Sequence, residues 1–173
     1  MRLTSFSDYA LRMLMFAASS GGKSFTIESA SRSFGVSRTH LNKVANTLTR
    51  GGFLTAMRGR SGGLLLARPA ETIRIGDVVR LTEPDFAVVE CFATGNQCVL
   101  TRACKLSGML GEAIGSFLST LDRYTLADIV LVPTAFAAIL PDAPPMARRP
   151  YRRKTQAAPA ASDAEPASPE SMS

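Results

Sequence analysis

Apolar positions in the first fifty residues recur with helical spacing, in three separate runs. Leu11, Leu14, Met15 and Ala18 follow the i, i+3, i+4, i+7 rule that places side chains on one face of an α-helix, and Gly21-Gly22 ends the run. Ile27, Ala30 and Phe34 repeat the pattern behind Thr26, a residue suited to cap a helix N-terminus. After the turn Gly35-Val36-Ser37, the third stripe is Leu41, Val44, Ala45 and Leu48, with Ser37 as its cap and Gly51-Gly52 as its stop. Three short helices are therefore predicted. The second and third are joined by a glycine-containing turn of about three residues, the arrangement of a helix-turn-helix.

The period then changes. Phe53 to Met57 and Leu64 to Ala67 are short apolar segments on either side of a basic, glycine-rich tip, which predicts a β-hairpin, or wing. A short helix follows in "IRIGDVVRLTE", with Ile75, Val78, Val79 and Thr82 on one side. From Cys104 to about Ala127 the seam Leu106, Leu110, Ala113, Phe117, Leu121 alternates spacings of four and three, which predicts one long helix of roughly 36 Å. A helix of that length in a small domain is more easily buried by a second subunit than by its own, packing along its own domain being the alternative. Gly108, Gly111 and Gly115 weaken that helix but would admit a neighbouring backbone. The predicted class is mainly α with a small β-wing. A winged helix-turn-helix domain occupies 1–82, a cysteine-bearing loop 83–104, a long C-terminal dimerisation helix 104–131, and a Pro-, Ala- and Ser-rich extension, largely disordered, 132–173.

Charge sharpens this picture. Residues 1 to 70 hold ten Lys or Arg against only Asp8 and Glu28, whereas 71 to 147 hold five against nine acids. Positive charge concentrated on the helix-turn-helix portion suits a surface that faces polyphosphate, the bland alternative being solvated helix faces. With its apolar stripe turned inward, the third helix presents Ser37 at its cap and Arg38, Thr39, His40, Asn42, Lys43 and Asn46 outward. Arg and Lys suit guanine edges, Asn suits adenine, and the major groove of double-stranded DNA admits one helix. At the wing tip, Arg58 and Arg60 stand among glycines that let the backbone approach phosphates or a minor groove.

Other chemistry finds less support. "GGKS" at 21 to 24 lacks the first glycine of a phosphate-binding loop, Ala17 standing in its place, and follows a helix where a strand is needed. His40 is the only histidine, no Ser/His/Asp set exists away from it, and an enzyme is not expected. The opening "MRLTSFSDYALRMLMFAASS" carries Asp8 and Arg12 inside its apolar region, so it reads as an amphipathic helix in place of a secretory signal, and a cytoplasmic location is expected. The run "IVLVPTAFAAIL" is too short to cross a bilayer and contains Pro133, so no membrane association is expected.

All three cysteines, Cys91, Cys98 and Cys104, fall within "ECFATGNQCVLTRAC". An odd count in a reducing compartment argues against a disulfide framework. No Cys-x-x-Cys knuckle favours zinc, and the polar loop around Cys98 is a poor place for buried free thiols. An iron-sulfur cluster leads these alternatives without displacing them, since thiolates are the usual protein ligands of such clusters.

"MRLTSFSDYALR", "GVSRTHLNKV", "RGRSGGLLLARPAETIRIGDVVR", the three cysteines and "SFLSTLDRYTLADIV" together resemble the NsrR group of nitric-oxide-sensing repressors, within a wider set of winged-helix regulators that includes IscR and RirA. The similarity runs from Met1 to about Val130. It implies a homodimer on a partly palindromic DNA operator, with the long helix crossing its twin and a 4Fe-4S cluster, or a 2Fe-2S cluster, near the dimer interface. It assigns Cys91, Cys98 and Cys104 as cluster ligands and Asp8, given by the other subunit, as the fourth, with nitric oxide as the signal that releases DNA. A hard carboxylate suits soft cluster iron poorly and leaves that iron the most open to a small ligand. Ser107 stands where the IscR group places a histidine ligand, while "FAVVECF" leans toward the iron-responsive RirA group; Asp8 and "SRTHL" favour the nitric-oxide assignment. A metal-carrying interaction protein without sequence-specific DNA binding is the reading from a different class.

Overall fold

A computed structural model describes residues 2–59, 62–101 and 103–130. Its helices are α1 (Ser5–Ser19), α2 (Ile27–Phe34), α3 (Arg38–Arg50), α4 (Ile75–Thr82), α5 (Lys105–Asp122) and α6 (Leu126–Ile129). Strands β1 (Leu54–Met57) and β2 (Gly63–Leu66) form an antiparallel hairpin in the register Leu54 opposite Leu66 and Met57 opposite Gly63. The fold is thus mainly helical with a small two-stranded sheet, as the periodicity predicts. The extension from 132 on and Arg60 lie outside the described residues.

Local chemistry accounts for the helix ends. Thr26 and Ser29 form a reciprocal capping box at the start of α2, and the Ser37 hydroxyl accepts from the His40 N–H at 3.4 Å to open α3. Between them Gly35 adopts φ 65°, a left-handed conformation that ends α2 and turns the chain within three residues. The helix-turn-helix therefore follows from Thr26, Gly35 and Ser37, positions that the sequence made legible.

The core is assembled from several elements at once. Met13, Leu14 and Phe16 of α1, Leu41, Val44 and Leu48 of α3, Leu54 of β1, Ile73, and Val78 of α4 are buried together. Phe16 meets Phe25 and Phe34 edge to face, at ring separations of 5.2 and 5.6 Å. The buried side of α1 differs from the predicted stripe. Leu14 is buried, but Leu11, Met15 and Ala18 are only partly so, and the buried arc runs instead through Ala10, Met13, Phe16 and Ala17. The physical reason is that α1 packs against α3, α4, α6 and β2 together, so its covered arc is set by four neighbours and not by its own most apolar line.

The wing gains an unforeseen third partner: Phe25 and Leu64 exchange backbone hydrogen bonds at 2.9 and 2.7 Å, fastening the hairpin to the segment before α2.

The long helix is shorter than its seam predicted. It ends at Asp122, about 27 Å from its start, and a new turn, α6, begins behind Thr125 and Asp128, which cap it reciprocally. Two long-range backbone bonds decide this break. Ile75 N–H donates to the Tyr124 carbonyl at 3.0 Å, and Leu126 N–H donates to the Ile73 carbonyl at 2.8 Å, pulling the chain back so that Leu126 enters the core. A continued helix would have used those groups internally. No residue of α5 is buried, and Gly108 and Gly115 face open space, while Gly111 has only the Phe92 ring nearby at 4.0 Å.

Candidate nucleic-acid interface and cysteine loop

The recognition surface begins with α3. Its inner face is Leu41, Val44, Ala45 and Leu48, all buried, so helical geometry turns Arg38, Thr39, His40, Asn42, Lys43 and Asn46 to solvent, and each of them is exposed. Ser37 is exposed too, but its oxygen is engaged as the helix cap. Arg38 has a partner the sequence did not reveal: its guanidinium donates to the Glu28 carboxylate of α2 at 2.7 Å, and Arg32 approaches the same carboxylate at 3.7 Å. Two exposed residues of α3 were missed, Thr49 and Arg50. Arg50 lies four positions beyond Asn46 and seven beyond Lys43, on the same outward face, and that spacing was available as a signal.

Beside α3, a cleft of about 260 Å³ opens against the first turns of α1, lined by Ser5, Phe6, Tyr9, His40, Lys43 and Val44. On the other side, Arg58 follows β1 into the wing tip and is exposed; Arg60, its predicted companion, lies outside the described residues. The exposed groups offered to a ligand are therefore hydrogen-bond donors and cations spread over one helix face and the hairpin beside it, the pairing of elements that positions side chains in a major groove and against phosphates.

Residues 3–131 match the Rrf2 family, described as an iron-dependent transcriptional regulator. The chain belongs to the Rrf2 family. It is accordingly a DNA-binding transcriptional regulator and not an enzyme. Among solved structures, this Rrf2 protein is similar to CymR (YrzC), the global cysteine regulator of B. subtilis, at 22% identity and a TM-score of 0.58 over 75% of this chain and 96% of that one. It is similar to the oxidized form of Staphylococcus aureus CymR, at 22% identity and a TM-score of 0.59 over 73% of this chain and 93% of that one. It is also similar to IscR from T. potens, at 23% identity and a TM-score of 0.58 over 75% of this chain and 85% of that one. At these identities the likeness is one of fold. No helix among the described residues is long and apolar enough to cross a membrane.

In this Rrf2 protein the cysteines lie between α4 and α5. Cys91 is in a 3₁₀ turn, Glu90–Phe92, Cys98 follows the Gly95 turn, and Cys104 caps the N-terminus of α5; all three are free and half-buried. The loop is tied by its own polar groups. Asn96 accepts from the Cys98 N–H at 2.8 Å and donates to the Thr101 hydroxyl at 2.8 Å; that hydroxyl donates to the Cys98 carbonyl, and Glu90 accepts from the Gln97 N–H at 3.3 Å. Among the described residues no three His, Cys, Asp or Glu side chains converge closely enough to hold a metal ion, so a single chain gathers neither Cys91, Cys98 and Cys104 with one another nor Asp8 with them. Asp8 is held by Arg12, one helical turn on, at 2.7 and 2.9 Å. In kind, the donors fit an iron-sulfur cluster: three free thiols on one segment, held by hydrogen bonds through Asn96, Thr101 and Glu90.

Proposed function

We propose that this Rrf2 protein is a dimeric iron-sulfur repressor that holds a DNA operator and releases it on reaction with nitric oxide. The observation that carries the reading is the placement of every cysteine on the segment joining the winged-helix domain to α5, so that ordering this loop bears on both at once. Cys91, Cys98 and Cys104 would hold the cluster with Asp8 of a second copy. When bound, a cluster of this kind supplies iron open to attack by a small diatomic molecule. The chain's own part is to present cysteine sulfurs before α5 and to keep Asp8 in the first turn of α1.

Pairing of two chains is supported by apolar surface that none of the described residues covers. Val99 is 94% exposed and Met109 67%, and Leu100 and Leu106 are exposed beside them. A second copy laid along α5 would bury these residues and place two α3 helices on successive half-sites. The required coupling is small: a hundredfold loss of operator affinity corresponds to about 2.7 kcal/mol between the two states.

A second reading, an iron-status regulator of the RirA kind, is favoured by the family's description as iron-dependent and by "FAVVECF" before the first cysteine. The reading as a metal-carrying protein without DNA binding loses its ground with the family assignment.

The test is purification without oxygen, then absorption spectroscopy with iron and sulfide assay, then gel-shift titrations with nitric oxide and with an iron chelator. A coloured protein that drops its DNA on nitric oxide is expected. Release by chelator alone selects the iron reading, and a colourless protein that holds its DNA unchanged removes both. Arg58→Ala should weaken binding to all sequences alike and lower the salt slope by about 0.9.

A further inference from the structure

The helix α5 is a rod of about 27 Å whose two ends are held differently. Its N-terminal end is Cys104, the last residue of the cysteine loop, and its N-terminal half buries no residue and has the Phe92 ring of that loop beside Gly111. Its C-terminal end is bolted to the winged-helix domain. Arg80 of α4 grips Asp122 in the two-pronged geometry of a guanidinium on a carboxylate, Nη1 to Oδ1 at 2.6 Å and Nη2 to Oδ2 at 2.6 Å. Arg74, just before α4, donates to the Asp122 carbonyl at 3.2 Å, and Asp77 stands 3.8 Å from the same Arg80 nitrogen.

Gly76 makes this contact sterically possible. A Cβ built on Gly76 would overlap Asp122 Oδ1 and come within 2.8 Å of Arg80 Nη1. Its φ is not positive, so the glycine serves space and not backbone freedom. A glycine inside a short helix is otherwise unfavourable, and here the gap it leaves is filled by the carboxylate. Beyond the pair, α4 is buried through Val78, Val79 and Thr82, and Thr82 is bonded to Ser7 of α1 at 2.7 Å. Rotation of α5 about Asp122 is thus felt directly by a helix embedded in the DNA-binding domain.

We propose that Arg80, Asp122 and Gly76 form a pivot that converts a change of state in loop 91–104 into a change in angle between α5 and the winged-helix domain. Arg80 and Asp122 act as positioning residues, since neither lies on the DNA-facing surface or in the cysteine loop. The inference rests on the reading of that loop as the sensing element.

The experiment uses the full chain with fluorophores introduced as non-canonical amino acids at Lys23 and Glu112, both exposed. Energy transfer is read with the thiols reduced and after loading with iron and sulfide, and duplex DNA selected by the wild-type chain from a random pool is titrated in parallel. The wild-type chain should show two distances, and Asp122→Asn and Arg80→Gln a single one, with the ratio of DNA affinities between the two states falling at least tenfold. Gly76→Ala should lower the melting temperature in the wild-type background and raise it in Asp122→Ala, where the obstruction is gone. A wild-type distance that does not respond to loading, or an Asp122→Asn response equal to the wild type's, overturns the pivot. Two wild-type distances without any change in DNA affinity would keep the pivot and reject the functional reading instead.

Discussion

The carboxylate of Glu83 accepts the backbone N–H of Thr4 at 2.9 Å, although the two residues are 79 positions apart. The same oxygen accepts from the Thr4 hydroxyl at 3.1 Å and from the hydroxyl of Ser7, which is fully buried. One acid at the end of α4 therefore satisfies the first turn of α1, the turn that carries Asp8.

Removing that acid takes the acceptor from the Thr4 N–H and one of two acceptors from the buried Ser7 hydroxyl, which keeps Thr82. Glu83→Ala should destabilise the protein by about 1.5–3 kcal/mol, the usual net worth of hydrogen bonding to a charged group. Glu83→Gln, which keeps an acceptor oxygen, should lose less. Urea unfolding at unchanged slope measures both. Equal losses in the two variants would mean that the negative charge carries the interaction, since glutamine keeps both the volume and an acceptor oxygen.

Arg38 cannot serve Glu28 and DNA at full strength together. Both groups are largely solvated, so breaking the pair should change stability by no more than about 1 kcal/mol. Glu28→Gln, by releasing Arg38, should tighten DNA binding, while Arg38→Ala should weaken it. If Arg38 contacts a phosphate, its loss lowers the salt slope by about 0.9. An affinity indifferent to both substitutions would confine Arg38 to joining α2 and α3.

Asp8 as a fourth ligand would have to leave Arg12. Asp8→Ala should preserve DNA binding by the loaded protein yet alter its absorption spectrum, its persistence in air or its nitric oxide titration. Arg12→Ala should have the opposite sign, freeing the carboxylate and lengthening the life of the loaded form. Spectra and titrations unchanged in both would restrict the pair to helix stabilisation.

Strong acid should loosen the α5–α6 corner. Hydrogen bonding from Arg80 holds the Asp122 carboxyl below the usual carboxylate range, and bonds from the Thr125 N–H and hydroxyl do the same for Asp128. Both values are depressed in the folded state, so their stabilisation is complete above the ordinary value of about 4 and is lost as pH falls through the lower folded values. Melting temperature between pH 5 and pH 2 should therefore decline less steeply in Asp128→Asn than in the wild type. Parallel acid limbs would show that the cap adds no linkage.

Much of this molecule is written in short-range pattern. The three N-terminal helices, their caps Thr26 and Ser37, the Gly35 turn and the outward set on α3 depend on residues within about four positions of one another, and the wing on pairs six to twelve apart, and a linear chain displays such short-range relations directly. Tertiary structure alone decided that α1 buries Ala10, Met13 and Phe16 in place of its most apolar line, and that α5 stops at Asp122 because Ile73 and Ile75 claim the backbone of residues 124 and 126. It also decided that Glu28, Glu83 and Asp122 each grip a residue that no periodicity links to them. The reason is one of distance along the chain: an ion pair or backbone bond between residues ten to eighty positions apart depends on where the whole core brings them, and neither partner alone encodes that meeting.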